Sequence, residues 1–207
     1  MPRILQLVPN RKGSYRRARG ENEEPDSEPQ LNLFSAAAAP KPAASVVRLE
    51  SALSPFDAAL MADRTGRGDA RAAYAEAIER GDRVTDAYCN LGILEAAAGA
   101  YDDAVEWFSK ALALSPEHFE AHYNLGCLYL DLEMFLPARV HLAIASARDP
   151  ESAELHFNLA VALAGLGQFA ASAAALRQFR KLSPDPDADE SAQKLLGELE
   201  KALEERA

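Results

Sequence analysis

The chain has 207 residues, 48% hydrophobic and 26% charged, which excludes a wholly disordered chain and allows one domain with tails or two small domains. Its apolar content leans on Ala and Leu, with aromatics at 7%, a composition that favours helix over sheet. A formal charge of -10, from 32 acids against 22 Lys and Arg, argues against a general nucleic-acid or anionic-membrane surface.

The N-terminus departs from that average. Residues 1–20 carry six cations (Arg3, Arg11, Lys12, Arg16, Arg17, Arg19) and no acid, which leaves the remainder at -16 within the total of -10. Three readings of this block stay open: contact with nucleic acid, with Tyr15 available to stack; docking on the protein's own acidic groove; or a solvated tail, the plainest of the three. Pro2, Pro9 and Gly13 break the amphipathic helix of an organelle transit segment, and the run Ile4 to Val8 is too short for a secretory core. No stretch is long enough to span a bilayer, and Cys89 and Cys127 are too few for a disulfide framework, so the expected setting is the cytoplasm, without membrane association.

An acidic stretch (Glu21, Glu23, Glu24, Asp26, Glu28) and an Ala/Pro linker from Ser35 to Ala44 complete a tail over residues 1–50 that is predicted to be disordered. Within it, Gln30-Leu31-Asn32-Leu33-Phe34 resembles the Gln-Leu-x-Leu-Phe pentapeptide by which bacterial replication and repair proteins dock into the sliding clamp. The resemblance implies that Gln30, Leu31, Leu33 and Phe34 form the motif, Leu33 and Phe34 filling an apolar pocket while Gln30 makes a directional hydrogen bond and Asn32 tolerates change. The alternative is a short apolar island in a tail.

Order is predicted to begin near Ser54-Pro55, a good N-cap followed by a residue pre-shaped for the first helical turn. Three blocks then superpose without a gap, 85–118, 119–152 and 153–186, each of 34 residues. Leu91, Leu125 and Leu159 share the seventh position; Gly92, Gly126 and Ala160 the eighth; Ala104, Ala138 and Ser172 the twentieth. Phe108, Leu142 and Leu176 share the twenty-fourth, Ala111, Ala145 and Phe179 the twenty-seventh, and Pro116, Pro150 and Pro184 the thirty-second. Small residues at the eighth and twentieth positions let two helices approach closely, and the large twenty-fourth is expected to fill the gap to the next unit.

This pattern resembles the tetratricopeptide repeat, a helix, a turn and a second antiparallel helix. The first of the three blocks, with Tyr88, Asn90, Leu91, Gly92, Gly99, Tyr101, Ala104, Phe108, Ala111 and Pro116, is close to the family pattern; the next carries Glu133 where a turn glycine is usual, and the last is looser. Residues 51–84 read as a degenerate first repeat, in which Ala70, Tyr74 and Ala77 match the second helix, so that four repeats fill 51–186. Residues 187–207 place Ala192, Leu195, Leu196, Leu199 and Leu203 on one helical stripe and read as a C-terminal capping helix. The fold expected is an all-α, right-handed helix-pair solenoid.

No catalytic constellation is present: no phosphate loop, no paired-cysteine metal spacing, no HExxH and no nucleophile elbow. His118 and His122 need not share a face, and His122 and His156 stand where the family usually packs an aromatic. Neither metal nor cofactor is therefore expected, and the two cysteines read as small apolar residues. The resemblance implies that a partner lies on the concave face, lined by the first helix of each repeat. There the sixth position is Asn90, Asn124 and Asn158, a ladder with two readings, a clamp for a peptide main chain or a tie between helices. Around it stand Cys89 and Ile93, Tyr123 and Cys127, Phe157 and Val161, an apolar lining, edged by the acids Asp86, Glu120, Glu154 and Asp131. Family members that hold a C-terminal carboxylate do so with Lys and Arg on this face. This chain has none at those positions, so a partner with apolar anchors and some positive charge fits better. The acids have a second reading as helix-dipole partners. The function expected is that of a non-enzymatic adaptor for a protein partner; the alternative is a replication or repair factor that reaches the sliding clamp through its tail.

Overall fold

The computed structural model describes Tyr15, residues 53–183 and residues 186–205. The tail motif Gln30 to Phe34, the linker and every cation of the N-terminal block lie outside the described residues. Those described are helical apart from short connections: α1 (Pro55–Thr65), α2 (Ala70–Glu79), α3 (Val84–Ala97), α4 (Tyr101–Leu114), α5 (Phe119–Asp131), α6 (Phe135–Arg148), α7 (Ala153–Gly165), α8 (Phe169–Leu182) and α9 (Pro186–Glu204). They sort into two compact units, one holding α1 and α2 and one holding Tyr15 and α3 to α9.

In the smaller unit Ser54 caps α1 by accepting the Asp57 amide at 3.2 Å, with Pro55 in the first turn. The left-handed Gly66, at φ 63°, ends the helix. No Leu-Gly pair is available to seat α2 against α1, and an aromatic pair takes that role: Phe56 and Tyr74 are fully buried with ring centroids 5.8 Å apart. The Phe56 amide donates to the Asp82 carboxylate at 2.7 Å, and the Arg83 guanidinium lies 4.5 Å over the Phe56 ring.

In the larger unit the helices pair as α3 with α4, α5 with α6 and α7 with α8, and each pair stacks on the one before it. This is the helix-pair solenoid that the periodicity predicts. The eighth-position glycines show why the pairs close so tightly. A β-carbon on Gly92 would come within 2.6 Å of the Phe108 ring, and one on Gly126 within 2.7 Å of Leu142. The large twenty-fourth residue thus packs on the glycine of its own pair and also shares a cluster with the next pair, Phe108 with Ala121, Leu125 and Leu128 of α5, and Leu142 with Leu155 and Val161 of α7. Between pairs the close approach is made by Gly165, whose missing side chain leaves room for the Phe135 ring. The third pair has Ala160 in place of the glycine, and there the buried Ser172 hydroxyl donates to the Ala160 carbonyl at 2.7 Å.

α9 packs on α8. Its Ala192, Leu195, Leu196 and Leu199 are buried in one cluster with Leu176 and Phe179 of α8. No helix among the described residues is long and apolar enough to cross a membrane.

Candidate partner-binding face

The thirteen residues of the predicted lining all stand on α3, α5 and α7, and α5 packs against both of its neighbours, so they share one face of the stack. They divide by depth. Cys89, Asn90, Tyr123, Asn124 and Asn158 are fully buried, and Ile93, Cys127 and Val161 are nearly so. Asp86, Glu120, Glu154 and Phe157 are half-buried, and Asp131 is exposed.

The asparagine ladder is turned into the protein. Asn124 donates from Nδ2 to Cys89 Sγ at 3.5 Å, and Asn158 from Nδ2 to Cys127 Sγ at 3.4 Å. Each bond runs from one first helix to the preceding one, so of the two readings of the ladder this geometry is that of a tie between repeats. Asn158 Oδ1 is buried without a hydrogen-bond partner among the described residues. Burial pushes the Cys89 thiol well above its usual range, partly offset by the Asn124 bond, so this sulfur is an acceptor and a filler rather than a nucleophile. The Tyr123 hydroxyl is likewise pushed up, first by burial and then by Cys127 and Glu154 beside it.

The acids at the second position sit in the first turns of their helices, where the macrodipole favours them. One has a further role. His118 is the N-cap of α5: its Nδ1 accepts the Ala121 amide at 3.2 Å, which leaves Nε2 to donate to Asp86 Oδ1 at 2.8 Å. Asp86 is thereby joined to the start of the next pair. His122 and His156, at equivalent positions, each reach back six residues to a proline carbonyl, Pro116 at 2.9 Å and Pro150 at 2.8 Å. A carbonyl only accepts, so His122 holds its proton on Nε2 and its Nδ1 receives the His141 Nδ1 proton at 2.9 Å. His118 and His122 face different partners, and no group of three or more His, Cys, Asp or Glu suited to a metal occurs among the described residues.

Tyr15 joins this face from outside the array. Its hydroxyl donates to Asp131 Oδ2 at 3.1 Å, and its ring packs on the clusters that hold Ile93, Tyr123 and Cys127. The signal for it in the sequence was a lone aromatic among cations in a chain otherwise acidic.

Two family models match the chain, one described as a TPR repeat over residues 94–132 and one as a tetratricopeptide repeat over residues 123–189. No curated protein is similar to it in sequence. Among solved structures, MamA 41-end from Desulfovibrio magneticus RS-1 shares 23% identity at a TM-score of 0.59, covering 72% of this chain and 94% of that one. MamA AMB-1 in one crystal form shares 23% at 0.58, over 72% and 91%, and MamA MSR-1 shares 19% at 0.53, over 77% and 99%. At these identities the likeness is one of fold.

Proposed function

The chain is a tetratricopeptide-repeat protein, and on that premise we propose that it works without catalysis, as a scaffold that holds an extended partner segment along α3, α5 and α7. The observation that carries this reading is the alignment of equivalent residues on three successive first helices, each giving a half-buried acid (Asp86, Glu120, Glu154) beside apolar side chains (Ile93, Cys127, Phe157, Val161). Such a strip suits a segment with apolar anchors spaced along it and Lys or Arg between them. The buried asparagines keep the pairs in register beneath the segment.

A peptide library displayed on phage and selected against the native chain tests this. Glu120→Lys with Glu154→Lys, changes to partly exposed side chains, should weaken the enriched cationic peptides by at least tenfold at low salt, whereas Glu106→Lys on the exposed side of α4 should not. Enriched peptides that bind both variants as well as the native chain would place the partner surface elsewhere.

A further inference from the structure

Tyr15 is separated by 116 residues of sequence from the Asp131 carboxylate that accepts its hydroxyl. Its ring spans two hydrophobic clusters, one containing Cys89 and Ile93, the other Tyr123, Cys127 and Val161. Five residues of the proposed partner surface are therefore members of the clusters beneath this one side chain. Burial, and then the Asp131 charge, push the phenol pKa above its ordinary value, so at neutral pH it remains a protonated donor facing a carboxylate. In the sequence Tyr15 is flanked by Arg11 and Lys12 on one side and Arg16, Arg17 and Arg19 on the other, whereas the edge of the face is acidic, with the half-buried Glu120 and Glu154 and the exposed Asp131.

We propose that Tyr15 is a built-in ligand of this face, selected through Asp131, which a partner must displace in order to bind. The proposal rests on the groove reading above and adds the chemistry of the occupant: a hydroxylated aromatic among cations. A ligand carried on the same chain competes as an intramolecular partner, so its blocking does not depend on the concentration of the protein. A partner segment with equal contacts is then held off until its own affinity or local concentration overcomes that competition. The face would favour partners that reproduce the tyrosine with its flanking charges and improve on them.

The test uses full-length chains and a fluorescent synthetic peptide spanning residues 8–22 of this sequence, read by anisotropy. The Tyr15→Ala chain should take up the peptide at least tenfold more tightly than the native chain, whose own tyrosine fills the site. A peptide carrying Tyr15→Ala should show no saturable binding to the opened chain. A peptide carrying Tyr15→Phe should bind about fivefold more weakly than the native peptide, the loss expected for one hydrogen bond, and Asp131→Ala in the chain should erase that difference between tyrosine and phenylalanine. Equal uptake by native and Tyr15→Ala chains, or equal binding of the tyrosine and alanine peptides, would overturn the proposal. So would blocking that disappears on dilution of the native chain, since Tyr15 would then be filling the face of a second copy. If Glu120→Lys with Glu154→Lys weakens the phage-selected peptides while Tyr15→Ala leaves them unchanged, the groove reading stands and the built-in ligand falls. If that double change leaves them unaffected while the residue 8–22 peptide still obeys the tyrosine and Asp131 rules, the partner reading is the one that fails.

Discussion

Glu133 occupies a backbone position that the other pairs of the larger unit give to glycine. Its φ is 56°, against 80° at Gly99 and 71° at Gly167, and the same two turn bonds close all three sites, for example Glu133 N to the Leu130 carbonyl and Met134 N to the Tyr129 carbonyl. A side chain in this left-handed region costs on the order of 1 kcal/mol, part of which the greater chain entropy of glycine would take back. Glu133→Gly should therefore raise stability by about 0.5 kcal/mol in urea unfolding, and Gly99→Glu should lower it by about 1 kcal/mol. Loss of stability in the first variant would show that the Glu133 side chain does more than tolerate its turn. His141 offers a pH test at the same scale. Burial, and then His122 beside it, bring its pKa down from 6.5 to about 4. The unfolded chain binds that proton more readily, so the contribution is complete above pH 6.5, falls as the pH drops toward 4 and is flat below. After allowance for the partial exposure of the ring it amounts to about 1 to 2 kcal/mol. Unfolding free energies of the native and His141→Phe chains, compared from pH 4 to 7, should show the variant with the shallower slope; parallel curves would remove His141 as the cause.

Helix pairs are held by size complementarity between fixed positions, glycine or alanine on one helix and a large residue on the other. Ala138 is fully buried on α6 in the pair where Leu142 lies over Gly126, whereas Glu106 on α4 is exposed and bridged only to Lys110 one turn on. Ala138→Leu adds three carbons where there is no room and should cost on the order of 1 to 3 kcal/mol, while Glu106→Leu should change stability by under about 0.5 kcal/mol. Equal losses, measured by denaturant midpoint at constant slope, would mean that the second helices are rotated from the register described.

At the scale of the larger unit, the departures of the last pair make sense beside α9. Phe179 occupies a position that is alanine in the two earlier pairs, and here it meets the single helix α9; its ring lies 5.2 Å from Phe157 and in one cluster with Leu195 and Leu199. The Arg177–Glu200 pair at 2.7 Å adds little, since both side chains are about half exposed. Removing residues 187–207 should uncover Leu176 and Phe179, lower the melting temperature and drive self-association in sedimentation. A truncated chain that stays monomeric with an unchanged melting temperature would refute the capping role.

What the sequence determined by itself is what repeats. Period, helix pairing, the close approach at Gly92 and Gly126 and the apolar stripe of α9 follow from local spacing, because each pair makes nearly all of its contacts within itself and with its neighbour. The candidate face was legible as a set of positions for the same reason, but its depth was not. An asparagine at the sixth position looks alike in the sequence whether its amide faces a ligand or the sulfur of the preceding helix, and only the packing of α5 on α3 turns Asn124 toward Cys89. His118 as a cap joined to Asp86, and the His122–His141 contact, depend on side chains 32 and 19 residues apart meeting across helices. Tyr15 is the extreme case. Its sequence neighbours describe a charged tail, and its partner Asp131 is set by the tertiary structure, where burying one aromatic ring and satisfying one carboxylate outweigh the local preference of that segment for water.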